Sequence, residues 1–387
     1  MRTLRLFLIP AVLFLLPSPW HPMAGLVTSA WAGEYDFTPF FEFYSDNRIS
    51  TAACGKGYTG IASPSSDLTG AVLNPAALML KGRFQVYGEY VYKSKVPWLK
   101  EFWPDIGELS LNPRQPTLCV GIGGRIGNHL QTGLLYYTSQ SYKFKQGEIF
   151  RTDEQGNILD SANVYTDYQS STVAVPCAYQ FGGKTTLTLG LNLGYATYRS
   201  DDNFGFMTGK ARFSRIITKF GVVFSQAERL RLGIAYQPEF RQTVTEPWTG
   251  MINDTSTYGP MTYPSRIGLG ASYRPGHVPL RFSVDYQFAN TSRDSVLVNR
   301  KDIHLGLEYE FSKTLTLRTG LFTLDDYRSR RTQWLDPVGS YDQKFITLGA
   351  SYRIGPVTAQ TSLMDSHWLS SGKIKETYIH SGVRYDR

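Results

Sequence analysis

"TLTLGLNLGY", residues 186–195, sets Leu187, Leu189, Leu191, Leu193 and Tyr195 on one side of an extended chain. Thr186, Thr188, Gly190, Asn192 and Gly194 fall on the other. Successive side chains of a strand point to opposite faces, so strict alternation over ten residues means a strand with one oily and one polar face. The pattern recurs at "LRFSVDYQF" (280–288), "HLGLEYEF" (304–311) and "TLTLRTGL" (314–321). From residue 83 onward fourteen such segments follow one another: 83–92, 115–123, 130–142, 168–180, 185–198, 212–224, 229–237, 263–273, 280–290, 301–311, 314–322, 345–353, 357–363 and 375–385.

Two architectures produce this alternation. A soluble sandwich turns its apolar faces inward, whereas a membrane barrel turns them to lipid and keeps a polar lumen. Connection lengths separate the two. "GRIGNH", "FGGK", "SQAE", "RPGHVP", "SK" and "IGP" are short turns, and they alternate with long connections at 93–114, 143–167, 199–211, 238–262, 291–300, 323–344 and 364–374. Short turns at one end and long loops at the other are the signature of an antiparallel transmembrane barrel. The expected fold is therefore all-β: a 14-stranded antiparallel transmembrane β-barrel over 83–387.

An arginine facing lipid at mid-depth costs about 2–4 kcal/mol, so Arg281 and Arg318 are expected to point inward. Tyr142, Tyr198, Tyr236, Tyr273, Tyr352 and Tyr385, near strand ends, are expected at the headgroup girdles, where a half-buried ring keeps its hydroxyl wet.

The chain opens "MRTLRLFLIPAVLFLLP", two arginines before an apolar run too short for a spanning helix. This reads as a signal peptide over 1–32, cut after Ala30-Trp31-Ala32 or earlier near Ala24. The net charge of +8 is spread along the chain rather than clustered, which argues against a nucleic-acid surface. Cys54, Cys119 and Cys177 offer no CxxC or Cys/His metal spacing. No metal or cofactor is expected. GxSxG, HExxH and P-loop motifs are absent, and adjacent His380 and Ser381 must face opposite sides of a strand, so no enzymatic site is expected.

Residues 33–82 do not alternate. "YTGIASPSSDLTGAVLNPAALML" (58–80) is rich in small residues and turns, and fourteen strands enclose a lumen wide enough to need water or a plug. Pro75 fixes the backbone and biases Asn74 away from helix, Asn74 can bond nearby backbone, and Ala76 permits close approach. Segment 33–82 is therefore expected to be an N-terminal hatch inside the barrel. Phe37, Phe40, Phe41 and Phe43 would line a pocket there or form its core.

"GKGYTGIASPSSDLTGAVLNPAAL" (55–78), with Asn74-Pro75-Ala76, resembles the N-terminal signature of the FadL/TodX family of outer-membrane transporters for long-chain fatty acids and other hydrophobic compounds. The resemblance implies passive uptake: capture by extracellular loops, passage into a lumenal pocket, and exit through a gap in the wall once the hatch moves. "VPWLKEFW" brings Trp98, Leu99, Phe102 and Trp103 to one face of a short helix, a capture surface or a loop resting on the membrane; "EPWTGM" (246–251) is a second wall for it. Pro176 interrupts the strand "STVAVPCAYQ" and so marks a bulge or a lateral opening. A bound carboxylate would need an inward cation, with Arg281, Arg318 and Arg353 the candidates and His304 and His380 behind them; salt bridging to Asp285, Glu308 and Glu310 is the structural alternative. The partners implied are outer-membrane lipids, a hydrophobic small molecule and the barrel assembly machinery. A PorV-like scaffold or shuttle, binding secretion-system proteins, is the alternative in a different class.

Overall fold

The computed structural model describes residues 48–94, 96–97, 110–112, 117–153, 155, 157–204, 207–227, 229–250, 254–276, 278–290, 298–326, 342–371 and 375–387. The expected signal peptide, the four hatch phenylalanines and the Trp98–Trp103 capture surface lie outside them.

All eighteen described strands belong to one sheet. Four of these lie in long connections: the pair Val96–Pro97 and Ser110–Asn112, and the hairpin Phe240–Gly250 and Asp254–Tyr263. The other fourteen form the wall: β1 (Gln85–Lys93), β2 (Thr117–Ile126), β3 (Leu130–Thr152), β4 (Ile158–Gly182), β5 (Thr185–Phe204), β6 (Met207–Gln226) and β7 (Leu230–Gln237), then β8 (Ser265–Tyr273), β9 (Leu280–Asn290), β10 (Arg300–Glu310), β11 (Leu315–Leu324), β12 (Gln343–Ile354), β13 (Val357–Asp365) and β14 (Thr377–Asp386). Each pairs antiparallel with the next, and β1 pairs with β14 from Gln85↔Asp386 to Lys93↔Tyr378, which closes the barrel. Closure removes sheet edges, as lipid requires.

The oily rungs look outward. Leu187, Leu189, Leu191, Leu193 and Tyr195 are all exposed, whereas Thr188 and Asn192 are buried. Tyr236, Tyr273, Tyr352 and Tyr385 are also outward and exposed. Tyr198 is not: it shares the parity of Thr188 and Asn192, so the alternation carries it into the lumen, where it is 5% exposed. The side chain of Tyr142 lies outside the described ones. Gly127 and Gly355 take positive φ of 62° and 57° in two of the short turns, a region L-residues enter at a cost.

Two long connections turn out to be strand. β3 and β4 run 23 and 25 residues, so their hairpin continues through most of 143–167, and β5 with β6 takes in 199–204 and 207–211. A bilayer needs about 9–11 residues per strand. The surplus continues as ladder beyond the membrane at the long-loop end, where neither face must be apolar and the leucine signal therefore stops.

Residues 48–82 fill the lumen. A short helix, α1 (Thr51–Gly55), is capped by the Ser50 hydroxyl, which accepts from the Ala53 amide at 3.3 Å. Leu68–Val72 and Pro75–Ala77 are 3-10 turns capped by Asp67 and Asn74. Lumen-facing glycines make room for this hatch. Gly190, Gly221, Gly233, Gly306, Gly320 and Gly349 lie where a Cβ would collide with hatch atoms. At Gly221 the obstacle is the Asn74 side chain, and at Gly190 it is the Pro75–Ala76 backbone.

Candidate functional site

Asn74 is fully buried, with φ −149° and ψ 112°. Its Oδ1 accepts from the Ala76 amide at 3.0 Å, its Nδ2 donates to Ile61 O at 2.6 Å, and the same nitrogen reaches Ile234 O of β7 at 3.3 Å. Pro75 supplies the first position of the turn at no hydrogen-bond cost, because its missing N–H would be an orphan there. Two residues before Asn74, Val72 O accepts from the Lys219 ammonium of β6. The hatch residues 72–76 thus reach across to two neighbouring wall strands.

Those two strands are where the wall ladder lapses. β6 pairs with β7 from Phe220↔Tyr236 to Gln226↔Leu230, and pairs again with the hairpin only at Met207–Gly209 with Gly250–Trp248. Between them, residues 210–219 and 237–247 carry no ladder pairs with one another. Pro238, which has no N–H to donate, stands at the upper end of β7 where the pairing stops. Backbone left unpaired in a bilayer is expensive, so it persists where it lines a cavity.

A cavity of about 180 Å³ adjoins this break. Its floor is hatch (Arg48, Tyr58, Ile61, Leu73) and its wall includes Ile217, Thr218 and Lys219 of β6 with Tyr236 and Gln237 of β7. Tyr236 and Ile267, whose side chains are 41% and 42% exposed, border the cavity where the wall is one strand thick. Among the described residues, Arg48, Arg215, Lys219, Arg266 and Arg300 line it, and the described lining holds no carboxylate. Arg300 is ion-paired with Asp302 at 2.6 Å. Above the cavity, Tyr198 stacks on Phe213 with centroids 4.4 Å apart, and the Arg215 guanidinium lies 5.0 Å from the Tyr198 ring and 4.9 Å from Phe240. The arrangement suits a molecule with an apolar body and an electron-rich or anionic end.

Elsewhere the hatch is bonded firmly to the wall. Asp285 Oδ2 accepts from the Gly60 and Ile61 amides at 2.7 and 2.9 Å. Thr347 Oγ1 lies 2.9 Å from the Gly57 amide and 3.2 Å from Gly55 O. Arg231 Nε donates to Ala62 O at 2.9 Å.

The Gram-negative porin profile matches residues 126–386, which is most of the chain. The chain belongs to the Gram-negative porin family. Its fold is shared with solved outer-membrane channels. A Pseudomonas aeruginosa FadL homologue superposes with a TM-score of 0.63 at 13% identity, over 88% of this chain and 99% of that one. The Pseudomonas putida toluene transporter TodX gives 0.59 at 14%, over 88% and 98%, and the Ralstonia pickettii toluene transporter TbuX gives 0.60 at 16%, over 87% and 97%. At such identities the likeness is one of fold, and it agrees with the hatch-motif resemblance to the FadL/TodX family. No curated protein sequence matches the chain. The porin is an outer-membrane β-barrel, and the relatives it resembles are channels and transporters.

The porin's other sequence-derived sites are scattered. Arg281 and Arg318 do face inward, but neither lines the cavity. Arg318 Nε pairs with Glu308 Oε2 at 2.6 Å, the salt bridging that is the structural alternative to a carboxylate site. Arg353 lies at the turn end of β12, donating to Gly355 O at 3.0 Å. His304 is held by Gly57 O, and His380 by Glu89. Pro176 pairs normally with Asn192 of β5, while towards β3 the ladder skips two positions and resumes at Leu135↔Ala174 in the same register. The larger interruption is the one beside Pro238. Of "EPWTGM", residues 246–250 form hairpin strand, and Trp248 pairs with Gly209. Arg215 and Lys219 escaped the sequence reading although alternation points both inward; Pro238 in "AYQPEF" was the available signal for the break.

Proposed function

We propose that this porin is a passive channel for hydrophobic or amphipathic small molecules, with molecules bearing an anionic head the favoured class. They enter from the long-loop end, rest in the cavity beneath Tyr198 and Phe213, and leave sideways between β6 and β7 once hatch residues 72–76 move. The observation that carries this reading is a cation-lined, aromatic-roofed cavity lying against a lapse in the wall ladder. Long-chain fatty acids fit such a cavity: a carboxylate in a low-dielectric lumen needs cations, and the acyl chain needs the apolar wall. Support also comes from the transporter and hydrocarbon-channel names of the structural relatives, which favour transport over a secretion scaffold. A hatch-filled lumen speaks against a general pore for small polar solutes.

The test is to bridge the break. In a chain freed of its native cysteines, Ile217→Cys and Glu239→Cys are joined by a bifunctional thiol reagent, and uptake of a fluorescent long-chain carboxylate is followed in cells lacking other such channels. Bridged chains are expected to fall to vector-only uptake, while mono-alkylated controls retain it. Equal uptake after bridging would remove the lateral route.

A further inference from the structure

At the seam between hatch and wall, on the side of the barrel where β1 meets β14, three titratable side chains stand in a row that the channel reading does not use. Cys54 Sγ of α1 lies 3.2 Å from His380 Nε2 of β14. His380 Nδ1 lies 2.8 Å from Glu89 Oε1 of β1. Glu89 Oε2 is fixed in turn by the Tyr87 hydroxyl at 2.7 Å and the Ser50 amide at 3.0 Å. Exposure is 0% for Cys54 and His380 and 3% for Glu89. A thiol against an imidazole whose far nitrogen is held by an oriented carboxylate is the nucleophile, base and orienter arrangement of covalent catalysis. The carboxylate fixes the ring's orientation, so the imidazole stands where it can take the thiol proton.

We propose that Cys54 is an activated nucleophile that captures small apolar electrophiles of the α,β-unsaturated carbonyl class. Capture of that class is an addition, with neither a leaving group nor water to accommodate. The thiol proton passes to His380 Nε2 as the sulfur–carbon bond forms at the β-carbon. The carbon–carbon π pair becomes the enolate, which takes the same proton back at its α-carbon. Nothing is oxidised or reduced, His380 ends neutral, and the product is one stable thioether per chain rather than turnover. Cys54 is 0% exposed, so a group added to its sulfur must displace atoms now packed against it.

The other two cysteines are internal controls. Cys119 is equally buried, and Cys177 is half-buried with its sulfur 3.1 Å from Thr132 Oγ1. Full-length protein in detergent is treated with acrolein, and adducts at each cysteine are followed by peptide mass spectrometry. Cys54 is expected to react first, at least about tenfold faster than Cys119. His380→Gln is expected to slow Cys54 by about tenfold or more and to return its pH–rate profile to that of an ordinary thiol near 8.5. Heat-modifiable electrophoresis verifies the barrel in each variant, and Glu89→Gln replaces His380→Gln if the latter does not fold. An unreactive Cys54 beside a labelled Cys177 overturns the proposal. So does an intact variant whose Cys54 keeps the native rate and pH profile.

Discussion

Lys219→Met is the most informative single perturbation of the hatch. The ammonium of Lys219 is a charged donor to the Val72 carbonyl, and on the opposite edge of the break the Asn74 amide reaches Ile234 O at only 3.3 Å. A hydrogen bond to a charged group contributes about 1.5–3 kcal/mol net, and the longer Asn74 contact contributes less. Removing the ammonium while keeping an apolar stem of similar length should therefore raise the population with residues 72–76 detached by roughly 10- to 100-fold, at about 1.4 kcal/mol per factor of ten. The rest of the hatch should stay where it is, because Asp285, Thr347 and Arg231 hold Gly55–Ala62 through independent bonds. Hydrogen exchange measured by mass spectrometry separates the two segments. Peptides covering 72–76 should exchange about one to two orders of magnitude faster than in the parent chain, with peptides covering 57–62 unchanged. Unchanged exchange at 72–76, or an equal rise across the hatch, would refute the idea that Lys219 is a local tether at the break.

Three further outcomes are expected. Gly221→Val puts side-chain atoms where Asn74 sits, so the hatch should be displaced from an otherwise intact barrel, seen as higher conductance in planar bilayers with the heat-modifiable band retained. Arg215→Met should weaken uptake of a long-chain carboxylate by roughly tenfold or more, the scale of a lost charge-assisted contact, while uptake of a neutral alcohol of the same length changes little. Arg318→Leu leaves the partly buried Glu308 carboxylate beside Lys56 without its ion-pair partner and should destabilise the folded barrel by about 1.5–3 kcal/mol, measurable as a lower urea midpoint in detergent.

The strands were legible because their cause is local. A leucine at every second residue must face one way, and with short turns at one end that direction is lipid; no contact between distant residues is needed to infer it. The fourteen segments, the closed wall and the inward aim of Arg281 and Arg318 follow from that periodicity. Tyr198 shows its proper use: parity, not proximity to a strand end, decides which side a ring faces. The strand surplus of β3–β6 was hidden because outside the bilayer a ladder needs no apolar face.

Local pattern alone specifies the barrel, its polar lumen and a small-residue hatch whose Asn74-Pro75-Ala76 step is a turn. What the hatch touches depends on how distant parts of the chain come together. Asn74 meets Ile234 across 160 positions and Cys54 meets His380 across 326. No local pattern encodes such pairs, because register and barrel closure set them. The same holds for the cavity. Arg215 and Lys219 are ordinary inward residues until the ladder lapses beside Pro238, and the glycines that admit the hatch look like any strand glycine until a second backbone is laid against them.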